Sequence, residues 1–93
     1  MHVGVIHTIV DQGQWDKAVG SLDLSALPEG FELLATGTAQ GVDRALCLWR
    51  APSVEDLQRT LDDVLGDAAA NDCFAMADDR VMLPAVSGRT AGV

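Results

Sequence analysis

The sequence predicts a single α+β domain in which two helices pack on a four-stranded antiparallel sheet. Apolar strand-like runs and periodic helix-like segments follow one another in the order strand, helix, strand, strand, helix, strand. These six elements occupy 93 residues, which is the size of one small domain. The apolar share of 48% is high for such a domain and indicates that part of the surface is covered by a partner.

The first strand and the first helix are predicted from positions 2–22. Residues 2–10 (HVGVIHTIV) are apolar on both sides and rich in β-branched side chains, as in a strand buried on both faces. Asp11 and Gln14 have the spacing of a capping box at the start of a helix. The helix then carries one apolar stripe, formed by Trp15, Ala18, Val19 and Leu22.

A hairpin is predicted next, with strands at 31–39 and 43–51 joined by a tight turn at Gln40-Gly41. Side chains alternate between the two faces of a strand. Leu46 and Leu48 are therefore expected on one face of the third strand, and Cys47 is expected on the other.

The second helix is predicted to begin after the N-cap Ser53 and to end at Gly66. Its buried face is formed by Val54, Leu57, Leu61, Val64 and Leu65. A connecting turn is predicted at 67–72 and a last strand at 73–83, interrupted near Asp78-Asp79. The domain is thus placed at 1–83, and 84–93 are expected to form a mobile tail.

This element order predicts a ferredoxin-like βαββαβ sandwich with strand order 4-1-3-2. Both helices cover one face of the sheet, and the other face has too few charges to meet water alone. We therefore expect a homodimer, a dimeric α+β barrel, in which a second copy covers that face. A charge introduced at Cys47 is expected to disrupt this interface.

The net charge of −8, with Lys17 as the single lysine, argues against nucleic acid and anionic membranes as partners. A metal cation or a neutral small molecule suits this surface better, although the acidity also serves solubility. The apolar run 2–10 is too short to cross a membrane and has no cationic segment before it. A cytoplasmic location and two free thiols, Cys47 and Cys73, are expected.

His7 and Cys47 are the candidate metal ligands, because they lie on the two strands predicted to be central neighbours. An imidazole and a thiolate suit nickel, copper(I) or zinc. A third ligand would come from Asp11, Asp78 or Asp79, or from a second subunit. The alternative is that His7 is a hydrogen-bonded core histidine and that Cys47 is a small core hydrophobe.

Besides metal binding, three further functions are compatible with this sequence. Trp15 and Trp49 are candidates to form the walls of a pocket for a small apolar ligand, unless they belong to the core. In a cofactor-free enzyme of monooxygenase, isomerase or cyclase type, His7 would be the general base and Asp11 would orient it. The third possibility is a structural domain that only provides an interface.

Two stretches carry a resemblance to a known family: Val5-Ile6-His7 on the first strand, and 47–55 (CLWRAPSVE) leading into the second helix. Together with Gly66 at the end of that helix, they resemble a family of small ferredoxin-like proteins, one branch of which binds nickel. The resemblance implies a dimeric α+β barrel. It also implies soft-metal binding, which would carry over to His7 and Cys47.

Overall fold

The computed structural model describes residues 1–83, so the predicted tail at 84–93 lies outside the described residues. Its sheet consists of β1 (His2–Ile9), β2 (Glu32–Thr38), β3 (Arg44–Arg50) and β4 (Ala69–Ala75). Helix α1 (Gln12–Gly20) follows β1, and helix α2 (Val54–Leu65) follows β3. The predicted α+β class, with four antiparallel strands and two helices, is confirmed.

The strands lie in the order β2-β3-β1-β4, which is 4-1-3-2 when it is counted from the β4 edge. All three pairings are antiparallel, and β1 and β3 occupy the two central positions. A register shift between Leu33 and Ala35 interrupts the pairing of β2 with β3. This open sheet with two helices is compatible with a ferredoxin-like fold.

One face of the sheet is covered by the helices. Its central strands contribute seven side chains that are all buried: Val3, Val5, His7, Ile9, Ala45, Cys47 and Trp49. They pack with Leu57, Leu61 and Leu65 of α2 to form the core. Cys47 therefore lies on the helix-covered face, and the expectation that it faces a second copy is wrong. Leu46, one position earlier, lies on the opposite face and is 60% exposed.

The last strand begins earlier than predicted. The segment predicted as a turn at 67–72 enters β4 at Ala69, and the strand ends at Ala75 instead of reaching residue 83. Alanine favours helices, but Ala68 and Ala69 are buried and Ala69 pairs with Ile9 of β1, so sheet pairing and burial decide the conformation. Beyond β4, Asp78–Arg80 forms a short 3₁₀ helix.

Both predicted helix caps are present. The side chain of Asp11 accepts a hydrogen bond from the Gln14 N–H at 3.0 Å, and that of Ser53 accepts one from the Asp56 N–H at 3.1 Å. The apolar stripe of α1 is less buried than predicted, because Trp15 is its only buried residue. Val19 is exposed and Leu22, just after the helix, is exposed as well. Both side chains line the cavity described below.

Within residues 1–83, no helix covers the second face of the sheet, and this face is largely apolar. We call it the open face and define it by its exposed side chains, Ile6, Leu46 and Phe74, with Met82 and Leu83 exposed nearby. Met82, Leu83 and the β3 residues Leu46 and Leu48 line a shallow groove on this face. Within the described part of the chain, no helix is long and apolar enough to cross a membrane.

Candidate functional site: a His–Cys pair in the wall of an apolar cavity

His7 and Cys47 are brought together by the register of the two central strands. Val5 lies opposite Cys47, so His7 is the diagonal neighbour of Cys47 on the same face. The distance between His7 Nε2 and Cys47 Sγ is 3.2 Å, and both side chains are buried. The prediction that their strands are central neighbours is confirmed, and the register brings the two side chains into contact.

Asn71 of β4 fixes which nitrogen of His7 carries the proton. The Asn71 Oδ1 atom lies 2.6 Å from His7 Nδ1. An amide oxygen only accepts hydrogen bonds, so the neutral imidazole must carry its proton on Nδ1. The Nε2 atom then has a free lone pair, which accepts a hydrogen bond from the Cys47 thiol.

The orientation of the Asn71 amide is itself fixed by helix α2. The Asn71 Nδ2 group donates to Asp62 Oδ1 at 3.1 Å, and Gln58 Nε2 donates to the backbone carbonyl of Asn71 at 2.7 Å. Gln58 also donates to both carboxylate oxygens of Asp62. A flipped amide would place its oxygen against the carboxylate, so these contacts hold Oδ1 towards His7.

Burial favours the neutral forms of both His7 and Cys47. It lowers the pKa of His7 below its usual value, against the opposing effect of the Asn71 hydrogen bond. It raises the pKa of the Cys47 thiol, which the hydrogen bond from Thr36 partly offsets. The Thr36 hydroxyl lies 3.2 Å from Cys47 Sγ, where it can donate to the sulfur. The resting pair is therefore a thiol and an imidazole.

A cavity of about 230 Å³ adjoins this pair, between the helix-covered face and the two helices. His7, Cys47, Trp15 and Trp49 all line it. The rings of His7 and Trp15 are 5.1 Å apart and tilted by 57°. The remaining walls are mostly aliphatic and are formed by Ala18, Val19, Leu22, Leu27, Leu33, Leu61, Val64 and Leu65, with Thr36 and Thr60.

The lining of the cavity is apolar and uncharged. Among residues 1–83, no lysine, arginine, aspartate or glutamate lines it. Of its polar side chains, Cys47 hydrogen-bonds to both His7 and Thr36, and Thr60 donates to the Asp56 backbone carbonyl. The Trp49 indole N–H is buried and has no acceptor within the described residues.

The structure brings four predicted site residues together and leaves the acidic ones elsewhere. His7, Cys47, Trp15 and Trp49 share the cavity wall, whereas Asp11 is exposed and caps α1. Asp78 and Asp79 lie in the 3₁₀ helix after β4, where Asp78 accepts a hydrogen bond from His2.

The predicted metal ligands form only a pair. His7 and Cys47 supply one nitrogen and one sulfur, and the described residues contain no cluster of three or more histidine, cysteine or acidic side chains. A structural or catalytic zinc site in a protein has at least three protein ligands. Any ion at this pair would need further ligands from elsewhere.

Sequence reasoning missed Asn71 and Thr36. Asn71 was placed in a connecting turn, because the start of β4 was set four residues too late. A polar residue directly opposite His7 on the neighbouring strand would identify Asn71. Which residue lies opposite His7 depends on the register of β1 with β4, which the sequence does not give. Nothing in the sequence distinguishes Thr36 from the other small polar residues of the second strand.

Comparisons of this chain with protein-family models, curated proteins and solved structures gave no significant match. The resemblance to nickel-binding ferredoxin-like proteins therefore stays a prediction. The function is argued below from the site alone.

Proposed function

We propose that this protein is a small homodimeric binding protein for a neutral, mainly apolar molecule held in the cavity. The observation that carries the proposal is the wall of the cavity, which combines two tryptophans with aliphatic side chains and no charged group among the described residues. A cavity of this composition favours uncharged ligands with large apolar surfaces.

The size of the cavity limits the ligand. A dry apolar cavity on the order of 150 Å³ is known to bind benzene. The cavity here measures about 230 Å³, so it has room for a substituted benzene ring or a fused bicyclic ring. The Trp15 and His7 rings are tilted relative to each other, so an aromatic ligand can contact either ring by its face or by its edge.

The open face supports the homodimer. Ile6 and Leu46 of the two central strands are exposed there, together with Phe74 of the edge strand β4. Charges of both signs lie beside them, Arg44 on β3 and Asp72 on β4, while Arg50 is already paired with Glu32. A two-fold axis brings the same patch of two copies together, so these opposite charges can pair around an apolar centre.

Binding of nickel or another transition metal by His7 and Cys47 is the alternative proposal. It is supported by the 3.2 Å distance between Nε2 and Sγ, which suits two adjacent ligands of one ion. The ion would displace the Cys47 proton and would need further ligands, such as those of a second subunit. A stoichiometric metal content in the purified protein that is lost in His7→Ala would favour this alternative.

The proposal is tested with 1-aminonaphthalene, a neutral fused bicyclic dye that fits this size limit and absorbs where tryptophan emits. We expect saturable dye emission, loss of tryptophan fluorescence, and displacement of the dye by acetophenone. Ala18→Phe, which adds a ring to the cavity wall, should abolish dye binding.

The matched control is Leu46→Ser on the open face, which should leave dye binding within about twofold of the unmodified protein. Dye binding that is lost in Leu46→Ser and kept in Ala18→Phe would place the ligand on the open face and overturn the proposal.

A further inference from the structure

We infer that Cys47, His7 and Asn71 form a nucleophilic triad and that the cavity takes an ester or thioester with a small apolar acyl group. This inference rests on the proposed function, since it assigns a substrate class to the same cavity. It goes beyond binding, because it gives the chain an acyl-transfer activity with a named nucleophile and base.

The geometry meets the requirements of an activated cysteine. A nucleophile must lie within hydrogen-bond reach of a base, and a third group must orient that base. Here Cys47 Sγ lies 3.2 Å from His7 Nε2, and His7 Nδ1 lies 2.6 Å from Asn71 Oδ1. Cys–His–Asn is one of the arrangements in which cysteine nucleophiles are activated.

The position of the triad distinguishes it from a core hydrogen bond. Both His7 and Cys47 lie in the cavity wall, so the sulfur and its base adjoin a space that can hold a substrate. The third residue is supported as well, because Asp62 accepts from the Asn71 side-chain amide and Gln58 donates to the Asn71 backbone carbonyl. Such a second layer of contacts is typical of a site in which the orientation of the base matters.

The first half of the reaction acylates the protein. Cys47 sulfur attacks the carbonyl carbon while its proton moves to His7 Nε2, and a carbon–sulfur bond forms. The tetrahedral intermediate then expels the alcohol or thiol as its carbon–oxygen or carbon–sulfur bond breaks. The leaving group takes the proton from His7 Nε2, which returns the imidazole to its neutral form.

The second half releases the acyl group to water. His7 Nε2 takes a proton from water as its oxygen bonds to the acyl carbon. The bond from that carbon to Cys47 sulfur then breaks, and the sulfur recovers the proton from Nε2. The products are a carboxylic acid and the original thiol, and no oxidant or reductant takes part.

Asn71 is a positioning residue in this scheme. Its oxygen keeps the proton of neutral His7 on Nδ1, so that Nε2 is always the basic nitrogen towards Cys47. Without that acceptor the proton is free to move to Nε2, and the imidazole then has no lone pair for the thiol. The other ionisable groups near the triad are Asp62, behind Asn71, and Cys73, across β1 from Cys47.

The first test is to react the full chain with p-nitrophenyl acetate, whose ring and acyl group are small, neutral and mainly apolar. We expect a burst of p-nitrophenolate of one equivalent per chain, and peptide mapping should place the acetyl group on Cys47. The burst should disappear in Cys47→Ser and persist in Cys73→Ser, which removes the other thiol. Acetylation of Cys73 alone, or equal labelling of both thiols, would overturn the triad.

Two further variants test the roles of the base and of its positioning residue. His7→Gln should slow acylation by about 10²-fold, the usual contribution of a general base. Asn71→Ala should slow it by at least about tenfold. For the intact protein the rate should be nearly constant from pH 7 to pH 8.5, because His7 is already unprotonated there.

A thiol that reacts without a base behaves differently, since its rate follows the thiolate fraction and rises about tenfold per pH unit below its pKa. Such a pH profile in the intact protein would overturn the role of His7, even if Cys47 is labelled.

The dye-binding titration separates this inference from the proposed function. Dye binding without a Cys47 burst would overturn the triad and leave the binding function intact. A lack of both would overturn the proposed function and, with it, the substrate class. Cys47→Ser and Asn71→Ala must keep the far-UV circular dichroism spectrum and the cooperative urea unfolding of the unmodified protein, which shows that each variant has kept its fold.

Discussion

The two faces of the sheet are built from alternate residues of the same strands, yet they differ in almost every physical property. On the helix-covered face, His7 and Cys47 are buried and hydrogen-bonded beside a cavity. On the open face, Ile6 and Leu46 are exposed and apolar. We propose that ligand binding takes place on the first face and association on the second. Substitutions at neighbouring positions should therefore separate binding from assembly.

The largest expected effect is loss of the dimer in Leu46→Asp. Each copy would place a carboxylate inside the proposed interface, and burying an unpaired charge there costs several kcal/mol. Sedimentation equilibrium should show two chains per particle for the unmodified protein and one for the variant. Val10→Asp is the control, because Val10 is 70% exposed and lies outside the sheet. An unmodified protein that remains monomeric at high concentration would remove the proposed role of the open face.

The next largest effect is a difference in stability between truncation of a buried leucine and truncation of an exposed one. Leu57 is fully buried against the sheet, so Leu57→Ala should lower the free energy of unfolding by about 2–5 kcal/mol. Leu46→Ala should cost less than about 1 kcal/mol in dilute protein. Urea unfolding at several protein concentrations should show that only the Leu46→Ala effect grows with concentration, because dimer formation adds to stability. Equal effects at every concentration would contradict the contrast between the two faces.

A smaller effect is the dependence of stability on pH through His7. Burial holds the pKa of His7 in the folded state below its unfolded value of 6.5. Between these two pKa values the unfolded chain binds more protons, so stability falls as pH decreases below about 6.5. The slope for one proton is at most about 1.4 kcal/mol per pH unit. Urea unfolding of His7→Gln should show a flatter dependence in this range, and an unchanged slope would show that His7 is not the group responsible.

The smallest effect is a difference in stability between alanine substitutions at two glycines of the open face. A Cβ at Gly4 would lie 2.7 Å from the ring of Phe74, so Gly4→Ala must displace that ring and should cost about 1 kcal/mol. A Cβ at Gly37 meets no atom within 4 Å, and Gly37→Ala should be neutral or slightly stabilising. Thermal unfolding compares the two variants, and adding Phe74→Leu to Gly4→Ala should recover part of the loss. A Gly4→Ala variant as stable as Gly37→Ala would contradict the close contact with Phe74.

The fold was largely predictable because its signals are local. The apolar runs of β1 and β3, the caps Asp11 and Ser53, and the alternation of side chains all follow from short stretches of sequence. The start of β4 was not predictable in this way. Its alanines favour a helix, and only pairing with β1 and burial at Ala69 make them a strand.

The candidate site was predictable only in part. His7 and Cys47 stand out as reactive groups on adjacent strands. The position of Asn71 opposite His7 depends on the register of β1 with β4, and a shift of one residue would place the Asn71 side chain on the other face of the sheet. The cavity arises because the apolar side chains after Trp15 on α1 do not fill the space above the sheet. Sequence periodicity places these side chains on one face and does not say how completely they pack.

We propose that the helix-covered face holds the ligand, and NMR tests this placement most directly. The protein has two tryptophans, and both line the cavity, so their indole N–H signals report on its occupancy. Titration with acetophenone should shift both indole signals saturably in the unmodified protein and neither in Ala18→Phe, while the amide signals of Leu46 and Phe74 stay in place. Saturable shifts at Leu46 and Phe74, with unchanged indole signals, would contradict the account.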